Sequence, residues 1–448
     1  MPYHYRMRHK LILAAAAFAL GVAGCSADPT AGADTQEVAA RLDSVAEPYV
    51  KLVLALGKHD ADYVDAYYGP PEWRTAVDSA PLALPAIAVR ADSLIAVLDS
   101  IPDPRDEMLG LRRSYLRTQL AALSARVGML AGEKLSFDSE SLALYNAASP
   151  KHPESYYQQI IDSLGLMLPG SGAIPERYER YRSQFVIPPA RLDTVFRTAI
   201  AECKSRTLKQ IPLPQGEEFR LEYVTGKSWS GYNWYQGDYK SLIQINTDLP
   251  IFIDRAIDLA CHEGYPGHHV YSLMLEQELV KKRGWQEYSV YALFSPQSLI
   301  AEGTANYGVQ MAFPGAERVE YERRALWPLA GLDTAGADEY YRIFEFAGRL
   351  AYAGNEAARR YLDGEITAAE AAGWLNRYAL FSPQRAAQRV KFIDQYRSYV
   401  INYNLGKDLV KEYVEAGGGG SGQRWAAFTS LLTSPRLPRN LAPDPNTK

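Results

Sequence analysis

Apolar residues recur at three- and four-residue steps through most of this chain, and one long stretch breaks the pattern. The repeat predicts helices over 38–56, 83–98, 108–131 and 189–209, with firm breaks at Tyr67-Tyr68-Gly69-Pro70-Pro71 and Pro169-Gly170-Ser171-Gly172. Near Leu213 the texture changes. Residues 219–224 and 241–246 have strand-like composition, punctuated by Gly226, Gly231 and Gly237, which predicts a small antiparallel sheet. Helix returns from Pro250 and runs, with breaks, to Glu415. The tract 417–422 reads as a flexible loop, and a short helix over 425–432 precedes a proline-rich tail. Leu293-Phe294-Ser295-Pro296-Gln297 recurs as Leu380-Phe381-Ser382-Pro383-Gln384, which reads as two similar helix starts rather than a structural repeat. The expected fold is mainly α with a small antiparallel β-sheet, an α+β arrangement.

The first residues are an address. Arg6, Arg8 and Lys10 precede an almost wholly apolar run, 11–23, closed by small residues before Cys25. That is a secretory signal, too short to span a membrane comfortably. Val22-Ala23-Gly24-Cys25 resembles the bacterial lipobox, which implies a diacylated Cys25 as the new N-terminus. Ser26 after that cysteine resembles the outer-membrane sorting pattern, so the expected home is the outer membrane, facing the periplasm. Residues 26–36 are small and polar, as a tether would be. Removal of the signal lowers the 48 Lys and Arg to 45 against 52 Asp and Glu. A mildly acidic chain without a basic run has no footprint for nucleic acid. Cys203 and Cys261 remain, as a bridge or as two buried thiols.

The chemistry concentrates in His262-Glu263-Gly264-Tyr265-Pro266-Gly267-His268-His269, which holds three of the five histidines left after His4 and His9 depart. Histidine followed directly by glutamate, with further histidine a turn or two later, suits a zinc hydrolase: imidazoles hold Zn²⁺ and the adjacent carboxylate deprotonates a water. The usual H-E-x-x-H spacing would put the second histidine where Pro266 stands. On an undisturbed helix His269, at about 700°, shares a face with His262 while His268, at about 600°, does not. Pro266 lacks an N–H and Gly267 bends easily, so a two-residue bulge would bring His268 round instead. His268 is the favoured second ligand and His269 the alternative, the other lying beside the substrate. Glu302 lies among small apolar residues on a helix opened by Pro296, where an unpaired carboxylate is costly, and is the expected third ligand. Asn306, one turn on, is placed to hydrogen-bond a ligating histidine.

The run His-Glu-Gly-Tyr-Pro-Gly-His-His followed by Ala301-Glu302-Gly303 resembles a bacterial family of zincin-like lipoproteins known as a domain of unknown function and grouped with gluzincin-type metallopeptidases. Tyr403-Asn404-Leu405-Gly406 looks like that family's late Tyr-Lys-Ile-Gly, with Asn404 in place of lysine. The resemblance implies two histidines and a glutamate on one zinc, a glutamate base at Glu263, a role for Tyr403, and a largely helical body around a cleft. The expected division of the chain is a signal at 1–24, a lipidated tether at 25–36, an N-terminal helical region at 37–210 and a zincin-like catalytic region with C-terminal helices at 211–448.

Other residues carry weaker expectations. Tyr399 and Tyr403 share a helix face, and either hydroxyl suits an oxyanion; Tyr399 reads more readily as core. Arg385, Arg389 and Lys391 suit a peptide carboxylate, although a solvated helix face explains them better. His59 reads as part of a polar turn. The strand 241–246 offers an edge for an extended peptide. The expected activity is that of a lipid-anchored zinc peptidase acting on a peptide or amide. Its rivals are a non-peptide metal amidase, a binding lipoprotein that has lost its chemistry, and a structural zinc site.

Overall fold

The computed structural model describes residues 29–441. The signal read at 1–24 and the lipidation site Cys25 lie outside the described residues. The chain is mostly helical with two small sheets. The first helix, Pro29–Leu56, starts inside the stretch read as tether and packs on two long helices, Leu84–Asp99 and Glu107–Leu130. Apolar spacing placed these helices to within a residue or two, except at the first one's start. Helix Leu192–Leu208 follows the break near Gly170 and packs against the metal-motif segment. No helix among the described residues is long and apolar enough to cross a membrane.

Strand β1 (Val64–Tyr67) leaves the N-terminal helices, and β2 (Glu218–Val224), β3 (Gly231–Gly237) and β4 (Lys240–Asn246) form a three-stranded sheet in the order β2-β4-β3. β2 runs parallel to β4, and only β3 is antiparallel to it. The two segments predicted as antiparallel neighbours are therefore parallel. The glycine-punctuated segment between them is itself a strand, and it supplies the antiparallel ladder. β4 is the central strand, so the free edges lie on β2 and β3 instead, and it is β3 that lines the cleft. The fifth strand, β5 (Val290–Ala292), pairs antiparallel with β1, and the register slips at Asp65 between Val64 and Ala66. A bulge of that kind re-aims the extra residue.

One apolar core runs without a break across the boundary expected at 210/211. Buried ion pairs cross it too. Arg112 grips Glu287 through Nε at 2.6 Å and Nη2 at 3.0 Å, and Asp43 through Nη1 at 2.7 Å. Glu140 accepts from the Ser398 amide at 3.1 Å and from Arg397 at 2.8 Å, pinning the turn that leads into the last long helix. Both copies of the Leu-Phe-Ser-Pro-Gln motif open helices, Pro296–Ala312 and Pro383–Tyr396; Ser295 and Ser382 are the N-caps, and Ser382 accepts from the Arg385 amide.

Helix Pro296–Ala312 crosses helix Ile401–Ala416 at Gly303 and Gly406. A Cβ at Gly303 would lie 2.4 Å from the Gly406 carbonyl oxygen, so side chains are barred from the crossing and the backbones touch. Gly303→Ala should cost about 1–3 kcal/mol, read as a lower urea midpoint. Gly110→Ala is the control: its Cβ meets nothing within 4 Å, and it should be neutral or stabilising. Equal midpoints in the two variants would remove the crossing argument.

Candidate metal centre

The motif helix begins as α-helix at Asp254–Leu259 and then widens. Pro266 has no amide hydrogen to return to residue 262, and the ladder re-forms with longer reach. The Tyr265 amide bonds the Ala260 carbonyl at 3.2 Å, and the Gly267 amide reaches the Cys261 carbonyl at 2.9 Å. α-Helix resumes at His268–Leu275. Gly267 is obligatory here, since a Cβ would sit 1.9 Å from the His262 carbonyl oxygen. Pro266 packs against Gly308 of the glutamate helix, where a Cβ would come within 3.0 Å of the ring.

This bend turns His268 toward His262, as the bulge argument expected. Their Nε2 atoms lie 3.2 Å apart. Glu302 Oε2 is 3.3 Å from His262 Nε2 and 3.7 Å from His268 Nε2. Ligand atoms at about 2.1 Å from a tetrahedral zinc stand roughly 3.4 Å apart, so the triangle has the size such a site requires. Glu263 competes for the same place, because His262, Glu263 and His268 also offer atoms within 4.8 Å of one another. Glu302 fits better. Glu263 Oε1 stands off at 3.9 Å from His262, while Glu302 Oε2 is buried and has no hydrogen-bond partner. A buried carboxylate oxygen without a donor is expensive, and a cation between it and two imidazoles removes the cost. His262, His268 and Glu302 therefore fit a single Zn²⁺.

Electrostatics point the same way. Burial alone would make His268 less basic, but Glu302, with Glu263 and Asp65 behind it, pulls it up to about 9. Burial would likewise raise the Glu302 carboxyl, yet the two histidines outweigh this and hold it well below the usual carboxylate range. The spot favours positive charge. Burial raises Glu263 above an ordinary glutamate, against the pull of both histidines.

His269 does not join the His262–His268 pair, nor does it face the cleft. It is fully buried; its Nδ1 meets Ser241 Oγ at 2.8 Å and its Nε2 meets Glu217 at 3.0 Å, tying the helix to the sheet. Burial would raise Glu217, but bonds from His269, Lys204 and Tyr265 bring it down to about 2. Asn306 does not reach a histidine: its Nδ2 donates to the Glu302 carbonyl at 2.9 Å, one turn back. Tyr399, read mainly as core, donates its hydroxyl to Glu302 Oε1 at 2.8 Å and so orients the carboxylate. Tyr403 lines the cleft, half-buried, with a hydroxyl that makes no hydrogen bond among the described residues. Cys203 and Cys261 are unbridged buried thiols, and His59 donates to the Leu82 carbonyl in its turn.

Sequence reasoning missed the sheet's share. Asn233 donates to the Glu263 carbonyl at 2.7 Å, and Gly231 makes room for the Glu263 carboxylate, which a Cβ would approach to 2.7 Å. Asp65, aimed inward by its bulge, lines the cleft and accepts from Tyr232; burial lifts its carboxyl to about 6. Only the strand pairing of β1 with β5 reveals it. The cleft is about 1150 Å³, roomy enough for a peptide.

No family model matches the chain, and no curated protein matches its sequence. Among solved structures, a crystal structure described as "the putative lipoprotein from Colwellia psychrerythraea" aligns with a TM-score of 0.49 at 13% identity, over 83% of this chain and 71% of that one. A likeness that loose leaves the metal centre to be argued from this chain's own residues.

Elemental analysis after dialysis should find one zinc per chain, lost in His268→Ala and kept in His269→Ala; the reverse pattern would overturn the assignment. Tyr399→Phe should keep the metal but weaken it about 10- to 100-fold in chelator competition.

Proposed function

We propose that the chain is a zinc-dependent hydrolase, most simply a peptidase, held in the bacterial cell envelope by a lipid on Cys25. The observation that carries the catalytic reading is the convergence of His262 Nε2, His268 Nε2 and the partnerless Glu302 Oε2, with a second buried carboxylate, Glu263, standing clear of them. Three protein ligands leave a fourth position open, which is the pattern of a catalytic rather than a structural zinc. No cysteine joins the set. Zinc in such a site polarises a carbonyl and acidifies a water.

The chain's own groups supply the rest. Glu263, less acidic than usual because it is buried, takes the proton of the attacking water and hands it to the leaving nitrogen. Gly231 and Asn233 hold the segment that carries it in place. Of the two tyrosines, Tyr399 is committed to Glu302, which leaves the free Tyr403 hydroxyl to donate to the oxyanion. The edge of β3 borders the cleft and offers backbone groups to an extended chain. A non-peptide amide would present the same carbonyl and nitrogen, and a substrate screen separates the two. The lipid anchor rests on the 1–25 sequence alone.

Glu263→Gln should retain stoichiometric zinc and lose about 10²- to 10⁴-fold in kcat on any substrate the wild type cleaves. Undiminished turnover in that variant ends the general-base role. A purified wild type that holds zinc but cleaves nothing would favour a binding lipoprotein.

A further inference from the structure

The wall of the cleft beyond Tyr403 is built differently from the metal centre. Helix Pro383–Tyr396 runs along it, and Arg385 and Arg389, one turn apart, both line the cavity. The reading of this stretch as a solvated face holds only for Lys391, which is exposed and outside the cleft. Neither guanidinium makes a hydrogen bond or ion pair with the described residues. Each lies against aromatic rings instead: Arg385 over Phe381 at 4.5 Å, Arg389 over Phe392 at 4.9 Å and over Tyr403 at 5.6 Å. Burial, with Arg182, Arg255 and Arg389 nearby, lowers Arg385 to about 9, and burial also lowers Arg389.

Two of the nearest carboxylates are already taken, and Glu345, exposed on the wall of the same cavity, makes no ion pair with either arginine. Asp254 is held by Arg182 at 2.9 Å and by Tyr340. Asp258 is shared between Arg255 and Arg318 at 3.2 and 2.8 Å. Lys407, on the neighbouring helix, lines the same cavity without an ion pair. Guanidiniums half-buried in a cleft without a counter-ion are costly, and their planar forks match a carboxylate. Contacts lead from the metal to this pair in sequence: Glu302 to Tyr399, the Tyr399 ring to Tyr403 at 5.8 Å, and Tyr403 to Arg389.

We infer that the substrate is an anionic peptide whose carboxylate is gripped by Arg389 and Arg385 on the Tyr403 side of the metal centre. This rests on the hydrolase reading and names its substrate class. The carboxylate belongs either to the peptide's C-terminus, which makes cleavage exopeptidic, or to an acidic side chain.

The test separates binding from turnover. Zinc-loaded Glu263→Gln protein, immobilised, is offered three peptide pools of random sequence: one with all carboxylates free, one amidated at the C-terminus only, and one with every carboxylate converted to methylamide. Mass spectrometry should show free peptides captured about 10- to 100-fold better than the fully blocked pool. Loss on terminal amidation alone identifies the C-terminus, and retention identifies a side chain. Adding Arg385→Met and Arg389→Met should abolish the preference while zinc content and melting temperature stay unchanged, and Arg389→Lys should restore part of it. Equal capture of free and blocked pools, including no capture of either, overturns the proposal, as does a preference that survives the double substitution. Failure of wild-type turnover alone would count against the hydrolase and not against the anion subsite.

Discussion

Three atoms that ought not to be left together define this molecule. Two imidazole nitrogens face each other at 3.2 Å, and a buried carboxylate oxygen approaches both without a donor of its own. A shared proton can satisfy the nitrogens but still leaves the oxygen orphaned; a divalent cation satisfies all three at once. The arrangement survives because the surrounding backbone gives these groups nowhere else to go. Pro266 and Gly267 deny the helix its normal ladder, Gly308 receives the proline ring, and Gly303 against Gly406 locks the glutamate helix to the helix that follows Tyr399. Each glycine lies where a methyl group would collide with backbone or ring. The rigidity is purchased with backbone contact rather than side-chain packing.

What was legible in the sequence was what is local. Histidine beside glutamate, a proline that cannot donate and a glycine after it are all read within eight residues, so the preference for His268 over His269 followed from backbone chemistry alone. Glu302 stood out because its neighbours are small and apolar. Helix spacing found the long helices for the same reason. The sheet was only half legible: strand composition marked β2 and β4, but parallel pairing depends on where β3 inserts, and β3 looked like punctuation because it is bounded by glycines.

What was not legible is tertiary. Tyr399 among 31 tyrosines carries no mark of its own, and its bond to Glu302 exists because two helices cross elsewhere. Asp65 reaches the site through a bulge between strands far apart in the chain. Asn306 failed for the opposite reason. An amide on a helix has a partner one turn back, and that local bond won over the distant histidine. Arg385 and Arg389 have the spacing of any exposed helix face, and only the fold shows that this face looks inward.

These placements put both signs of charge on the wall of one cleft. Glu263, Glu302 and Asp65 gather around His268, where charge favours a cation. Arg385, Arg389 and Lys407 line the same cleft without ion pairs. Phe381, Phe392 and Tyr403 lie against the guanidiniums, and Tyr399 occupies Glu302 Oε1. Tyr403 has its ring under Arg389 and its hydroxyl free. A substrate with its carbonyl among the histidines and its carboxylate on the arginines would be held at both points before any chemistry begins.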